Sequence, residues 1–214
     1  MNKKNIGYMG NPNLRRQQST REYTPAELAE VLKCASDIEY FAENYVTIIT
    51  LDKGKTIINL YDYQREMLNI MLHGDPANNK YNTIVLSPRQ SGKTTVVGVY
   101  ASHYCIFNKD KTIAILANKL QGAVELIDRI KMIIEGLPDF LKPGIKEYNK
   151  KSIVFENGCK IIAAATSPSA VRGLAINCLT GENQVTVLDT ETNEETTMPI
   201  EVLNIILKNE NSIV

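Results

Sequence analysis

Thr83-Ile84-Val85-Leu86-Ser87-Pro88-Arg89-Gln90-Ser91-Gly92-Lys93-Thr94-Thr95 decides the reading of this 214-residue chain. Thr83–Leu86 has the pattern of a short buried strand, and an apolar stretch after Thr95 predicts a helix to about Phe107. The loop between them follows G-x-x-x-x-G-K-[ST], with Ser87 where the first Gly should stand and with Gly92, Lys93 and Thr94 in place. Gly92 lets the backbone turn so that successive N–H groups face an anion. Lys93 would set its ammonium on β and γ phosphate oxygens, and Thr94 would offer a hydroxyl to Mg²⁺. The helix N-terminus behind the loop adds a field that favours anions. Gly-Lys-Thr alone is a weak signal; between a buried strand and a helix it is much stronger.

Downstream, Thr112–Ala117 predicts another strand and Leu120–Glu135 an amphipathic helix closed by Gly136 and Pro138. Strand, loop, helix, strand and helix in alternation predict an α/β fold with a parallel sheet. Ser152–Phe155 and Lys160–Ala165 flank Glu156-Asn157-Gly158, a hairpin signal. Ser167–Gly173 reads as a loop, and a new apolar run starts at Leu174. Upstream, Thr24-Pro25-Ala26-Glu27 has the elements of a capping box with Pro at the first helical position, so a helix is expected to about Cys34. A second follows from Asp37 to about Tyr45. Val46–Leu51 and Thr56–Leu60 predict a hairpin around Asp52-Lys53-Gly54-Lys55, and Asp62–His73 a helix ended by Gly74. The first twenty or so residues are polar and are expected to form a flexible arm.

With 43% hydrophobic residues the chain can build a core. No apolar run approaches the ~18 residues needed to cross a bilayer, and MNKKNIGYMG lacks the apolar core of a secretory signal, so no membrane association and a cytosolic location are expected. The four cysteines form no C-x-x-C pair; Cys34, Cys105 and Cys159 read as small apolar core residues. Net charge is zero, yet it is unevenly shared. Residues 1–177 hold 23 Lys/Arg and 17 Asp/Glu, a net +6, whereas residues 178–214 hold Lys208 and seven carboxylates, a net −6. Such asymmetry points to two functions in one chain.

The stretch Ser87–Thr95 resembles the variant Walker A of the large terminase subunit of tailed phages, the ATP-driven motor that packages DNA into procapsids. In that family the first Gly is often replaced and an Arg-Gln pair lies inside the loop. The resemblance makes Arg89 a sensor or stabiliser of the γ-phosphate. It assigns ATP contacts to Ser87, Gln90, Gly92, Lys93, Thr94 and Thr95, with Mg²⁺ on the Thr94 hydroxyl. Tyr63-Gln64-Arg65 is similar to the family's adenine-recognition motif, in which Gln64 pairs with the base and Tyr63 stacks on it. Val171-Arg172-Gly173 looks like the loop before the Walker B strand. The likeness spans about residues 24–177 and fits the myovirus branch best. It implies a P-loop NTPase of the ASCE type, double-stranded DNA, a portal and a small terminase subunit as partners, and the cytoplasm of an infected bacterium as location. No apolar run ending in Asp-Glu follows Gly173, so the Walker B carboxylate, the catalytic Glu and the nuclease domain are not in the sequence, and this chain alone is expected to bind ATP at most weakly and not to turn it over.

Cys178-Leu179-Thr180-Gly181-Glu182-Asn183-Gln184-Val185 resembles the first block of an intein, with Cys at position one, Leu next, Gly fourth and Val eighth. A thiolate is the best side-chain nucleophile for turning the Asn177–Cys178 amide into a thioester. Val185–Leu188 predicts a strand, Asp189–Glu195 a polar turn region and Pro199 the start of a short helix, an order similar to the opening of the all-β intein (Hint) fold. The Thr-x-x-His block and the terminal His-Asn of inteins are missing. The resemblance is therefore to the short N-piece of an atypically split intein, such as occurs in phage terminases. The expected organisation is an arm over 1–23, the first part of a terminase ATPase over 24–177 and a split-intein N-fragment over 178–214. A separate C-terminal fragment is the expected partner, and both halves are expected inactive without it. The alternatives are a truncated intein-containing terminase spliced in cis, a non-enzymatic nucleotide- or DNA-binding module with an acidic tail, and another P-loop ATPase such as a helicase.

Overall fold

The computed structural model describes residues 7–19, 21–50, 52–74, 85–167, 175–176, 178–182, 184–188 and 195–199, the last three segments as backbone. The chain builds an α/β structure around one six-stranded sheet. The two N-terminal helices form as expected. Thr24 caps α1 (Pro25–Ser36) by accepting the Glu27 N–H, while the Glu27 carboxylate accepts the Thr24 N–H. Asp37 caps α2 (Ile38–Tyr45) through the Tyr40 N–H at 2.8 Å.

The sequence places Leu14 in a polar arm, and here the expectation is corrected. Leu14 is 3% exposed, and β1 (Arg15–Arg16) pairs in parallel with β5 (Gly144–Tyr148). Gln18 donates its N–H to the Glu156 carboxylate at 2.7 Å. One apolar side chain and a few backbone bonds suffice to lay this segment along the sheet; residues 1–6 lie outside the described residues.

The hairpin β2 (Thr47–Thr50) and β3 (Gly54–Ile57) and the helix α3 (Asp62–His73) match the sequence reading, Gly74 capping α3 at φ 71°. Helix α4 (Lys93–Phe107) is buried nearly all round. It is sandwiched: Val96, Val99 and Tyr100 join a cluster with Phe41, Leu60 and Leu68, while Ala101 and Cys105 join the sheet-side cluster with Ile113, Ile127 and Ile153. Burial on both sides accounts for its lack of a polar face. Helix α5 (Leu120–Gly136) packs the row Leu126, Ile127, Ile130 and Ile134 into the sheet-side cluster.

The sheet runs β1, β5, β6 (Ser152–Phe155), β7 (Lys160–Ala165), β4 (Thr112–Ala117), β8 (Cys178–Glu182). It is mixed, which is compatible with the expected parallel α/β sheet: β1 is parallel to β5 and β4 is parallel to both its neighbours, while β6 is antiparallel to both β5 and β7. The Glu156-Asn157-Gly158 turn forms the β6–β7 hairpin with Gly158 at φ 84°. The Asn157 amide donates to the Cys105 and Asn108 carbonyls at 2.7 Å each, and so ties that hairpin to the C-terminal end of α4. Strand β5 is absent from the sequence reading for a visible reason. A bulge between Ile145 and Glu147 breaks the two-residue alternation, so Ile145 and Tyr148, three apart, both reach the core.

Thr83 and Ile84 lie outside the described residues, and Val85 and Leu86 are in no strand. The expected loop before Gly173 is described only to Ser167, and Val171-Arg172-Gly173 lies outside. Strand β9 (Gln184–Leu188) matches the expected strand and pairs with β10 (Glu195–Pro199). Pro199 therefore ends a strand instead of opening a helix; residues 200–214 lie outside the described residues. Among the described residues, no helix is long and apolar enough to cross a membrane.

The His103 imidazole is 3% exposed, lies against the Phe41 and Phe107 rings, and makes one hydrogen bond, Nε2 to the Cys34 carbonyl at 2.9 Å. Burial pushes its pKa below the ordinary value of 6.5. The unfolded chain therefore binds the proton more readily than the folded one. Stability from this site is fully present above pH ~6.5 and is lost as pH falls below it. Thermal unfolding midpoints recorded between pH 7.5 and 5 are expected to fall, and His103→Gln, which keeps a donor for Cys34, is expected to flatten that slope. An unchanged slope in the variant would assign the pH dependence to other groups.

Candidate phosphate-binding loop

The loop is clamped to α3 from one side. Gly92 sits at φ 80° as the N-cap of α4, a conformation that suits glycine, and a Cβ there would stand 2.5 Å from the Gln64 Nε2 atom. The Ser91 carbonyl accepts two hydrogen bonds, one from the Tyr63 hydroxyl at 2.7 Å and one from Gln64 Nε2 at 3.1 Å. The other end of the Gln64 amide accepts the Tyr61 N–H at 3.1 Å and so caps α3. Gln64 is 5% exposed. Its carboxamide thus joins the start of α3 to the start of α4, leaving one N–H and one lone pair for a ligand.

Helix α3 is in turn pinned to α2. Arg65 donates to both oxygens of Glu43 and to Glu39 at 3.2 Å, and the Leu60 N–H also reaches Glu43 at 3.1 Å. The Arg65 guanidinium first, and then the Leu60 N–H, hold the Glu43 carboxyl below its ordinary range against the opposing cost of its partial burial. This pairing fastens the first turn of α3, which carries Tyr63 and Gln64, to α2.

Inside the loop the Ser87 and Ser91 hydroxyls lie 2.6 Å apart. Lys93 Nζ folds back to donate to the Ser87 carbonyl at 2.7 Å and to the Pro88 carbonyl at 2.8 Å. Those contacts hold the ammonium over the loop, where an incoming phosphate would compete for it with a full negative charge. Arg89 and Gln90 form the exposed turn of the loop, Gln90 at φ 63°. Thr94 is exposed on the first turn of α4, and the Thr95 N–H closes that turn onto the Gly92 carbonyl at 2.9 Å. The Lys93 and Thr94 N–H groups that open α4 precede its first intrahelical bonds. A cradle of backbone donors, one lysine, one arginine and a free-standing threonine hydroxyl suits a polyphosphate.

The donor set also bears on a metal. Among the described residues, no three His, Cys, Asp or Glu side chains cluster in a way that could hold an ion. Mg²⁺ typically keeps several waters and rests on one or two protein groups plus substrate phosphates, which the Thr94 hydroxyl fits. Bound there, it would supply neutralisation of phosphate charge.

Two participants escape sequence reasoning. Ser91 acts through its carbonyl, which no side-chain pattern reveals. Tyr61 is 66% exposed and lies parallel to Tyr63, with ring centroids 5.7 Å apart and planes at 7°. The Tyr-x-Tyr spelling before the helix is its one trace in the sequence. The three cysteines read as core residues are buried. Burial pushes the Cys34 thiol up to about 12, whereas a hydrogen bond from Cys105 brings Cys159 down to about 7. Cys178 opens β8, with its Cα in register with Ile113; its side chain lies outside the described residues.

Residues 84–180 match a protein-family model described as the terminase large subunit, T4likevirus-type, N-terminal. That stretch begins upstream of the loop and ends three residues into β8, and it is similar to the N-terminal part of a terminase large subunit.

Proposed function

We propose that residues 1–177 are the front half of a phage DNA-packaging motor, and that residues 178–214 are the N-piece of a split intein. Cys178 then joins that half to a second polypeptide. The observation that supports the motor reading best is the Gly92-Lys93-Thr94 loop, opened by a glycine at positive φ on the N-terminus of α4, inside the stretch that matches the terminase model. The intein reading is supported by the first-block pattern at Cys178. It is also supported by the end of the match at residue 180, next to that cysteine.

For the motor, ATP phosphates would rest on the backbone of the loop and on Lys93, with Arg89 reaching the γ-phosphate as a fork and Mg²⁺ held at Thr94. Tyr63, paired with Tyr61, offers a face for the adenine. The +6 charge of residues 1–177 suits anionic partners, namely nucleotide and double-stranded DNA. A portal and a small terminase subunit complete the assembly, in the cytoplasm of the infected host.

For splicing, the Cys178 thiolate attacks the Asn177 carbonyl. The C–N bond breaks, a thioester forms, and the amide nitrogen leaves as the α-amine of Cys178, taking the proton. The partner supplies a His and an oxyanion site. A Cys, Ser or Thr at the start of the partner's host segment takes the acyl group and frees the Cys178 thiol. Cyclisation of an Asn in the partner releases the intein, and an acyl shift to the new amine restores an amide at residue 177. The acidic tail, net −6, would attract a basic partner fragment, and that attraction would weaken with salt.

Co-expression with a C-terminal intein–terminase fragment, followed by intact-mass measurement, tests the proposal. The expected result is a ligated chain beginning at residue 1 together with a free 178–214 peptide. Persistence of the intact 214-residue chain beside a folded partner would overturn it.

A further inference from the structure

The last strand of the six-stranded sheet starts at the proposed splice junction. Strand β8 pairs in parallel with β4 over the full register Ile113↔Cys178, Ala114↔Leu179, Ile115↔Thr180, Leu116↔Gly181 and Ala117↔Glu182. In β4, Ile113, Ala114, Ile115 and Leu116 are all buried, and β7 covers its other edge. A buried strand with one open edge leaves a row of unpaired N–H and C=O groups, a template for pairing with other chains.

The sequence of β8 is poorly suited to that place. Strands in the parallel part of a sheet read as near-continuous apolar runs, as Thr-Ile-Ala-Ile-Leu-Ala does in β4. Cys-Leu-Thr-Gly-Glu does not. Gly181 in the interior weakens a strand through lost side-chain packing and backbone entropy, and Glu182 brings a charge to its end. Beyond Asn183, β9 turns away to pair with β10 in a separate two-stranded sheet.

Resting on the splicing reading above, we propose that the β4 edge is a strand-docking surface with two successive occupants. Strand β8 is the temporary one. The permanent one is an apolar, β-branched strand of about five residues that begins the host segment of the C-terminal fragment. Connectivity dictates the exchange. Whatever is joined to residue 177 enters the slot from the point where β8 enters it now, in the same direction and against the same five residues of β4. The precursor thereby keeps the edge paired while it waits for its partner. Cleavage at Cys178 detaches β8 from the host, and the stronger strand takes its place.

Hydrogen–deuterium exchange on the full chain tests this. N–H groups alternate in direction along a strand, so one of two neighbouring residues in β8 donates toward β4. Leu179→Pro with Thr180→Pro removes that donor and leaves Cys178 in place. The expected result is exchange at least about tenfold faster in peptides covering Ile113–Ala117, with Leu126–Ile134 of α5 unchanged. Val185→Pro with Thr186→Pro, in the separate hairpin, is expected to leave β4 protected. Equal β4 protection in the wild type and the β8 variant would overturn the proposal, as would loss of protection from the hairpin variant alone. In the ligated product, β4 is expected to remain protected with no 178–214 peptide bound in native mass spectra; a retained peptide would overturn the exchange. Failure to ligate beside an intact proline effect would sink the splicing reading and leave the edge role of β8 standing. Ligation without any proline effect would do the reverse.

Discussion

Cys178→Ala mixed with the C-terminal fragment is expected to give no ligated product and no free 178–214 peptide, a complete loss and not a slowing. Every later step uses the acyl group that the first attack creates, so without a thiolate at the junction the Asn177 carbonyl stays in its amide. Alanine is close in size to cysteine and leaves the backbone of β8 its N–H, so the loss reads chemistry and not pairing. Cys178→Ser is the graded companion. A hydroxyl is a weaker nucleophile at neutral pH than a thiol with its few per cent of thiolate, so ligation is expected to be slower yet detectable. The control is Cys159→Ala. Its thiol is brought down to about 7 by the hydrogen bond from Cys105, but the residue is buried in the core and is not at the junction. Ligation is expected to survive that change, provided that circular dichroism shows the fold intact. A ligated mass from Cys178→Ala would overturn the nucleophile assignment.

Much of the fold is legible where local chemistry decides the outcome. Thr24 and Glu27 spell out their capping box, Gly74 the end of α3, and Asn157-Gly158 a hairpin turn. Each rests on a backbone requirement that few residue types meet. What the sequence hides is tertiary. The bulge in β5 erases its own alternation, and the docking of residues 7–19 depends on Leu14 finding a buried place beside Ile145 and Ile153. The mixed direction of the sheet follows from two chain reversals, one at residues 149–151 and one at 156–159, of which only the second has a strong turn signature. At the site, Gly92, Lys93 and Thr94 are readable because a phosphate loop needs those types at that spacing. The clamp of Tyr63 and Gln64 on the Ser91 carbonyl is not, because one partner is backbone and 27 residues separate Gln64 from it. The boundary at residue 178 is the sharpest contrast. Read as sequence, it divides two unlike segments; as backbone, β8 continues the sheet of the first.

Lys93→Ala is expected to weaken Mg-ATP binding by the 214-residue chain about 10- to 100-fold, measured by calorimetric titration, since hydrogen bonds to charged groups contribute about 1.5–3 kcal/mol each. The argument turns on what the ammonium does before ATP arrives. Its two contacts, to the Ser87 and Pro88 carbonyls, are with neutral acceptors. Phosphate oxygens offer it a charged partner at little cost in rearrangement, because the same contacts already hold the side chain over the loop. Lys93→Arg separates charge from shape. It keeps the charge, but a planar fork does not replace a compact ammonium beneath two carbonyls, so only part of the affinity is expected to return. Thr94→Ala is expected to leave metal-free binding unchanged and to remove the gain from added Mg²⁺. Neither the wild-type chain nor any of these variants is expected to release phosphate steadily. On the proposed reading, the Walker B carboxylate that would hold the metal and the residue that would orient the attacking water belong to the second polypeptide. Steady phosphate release that disappears with Lys93→Ala would show that this chain carries a complete hydrolytic site, and would remove the need for a second half to restore it.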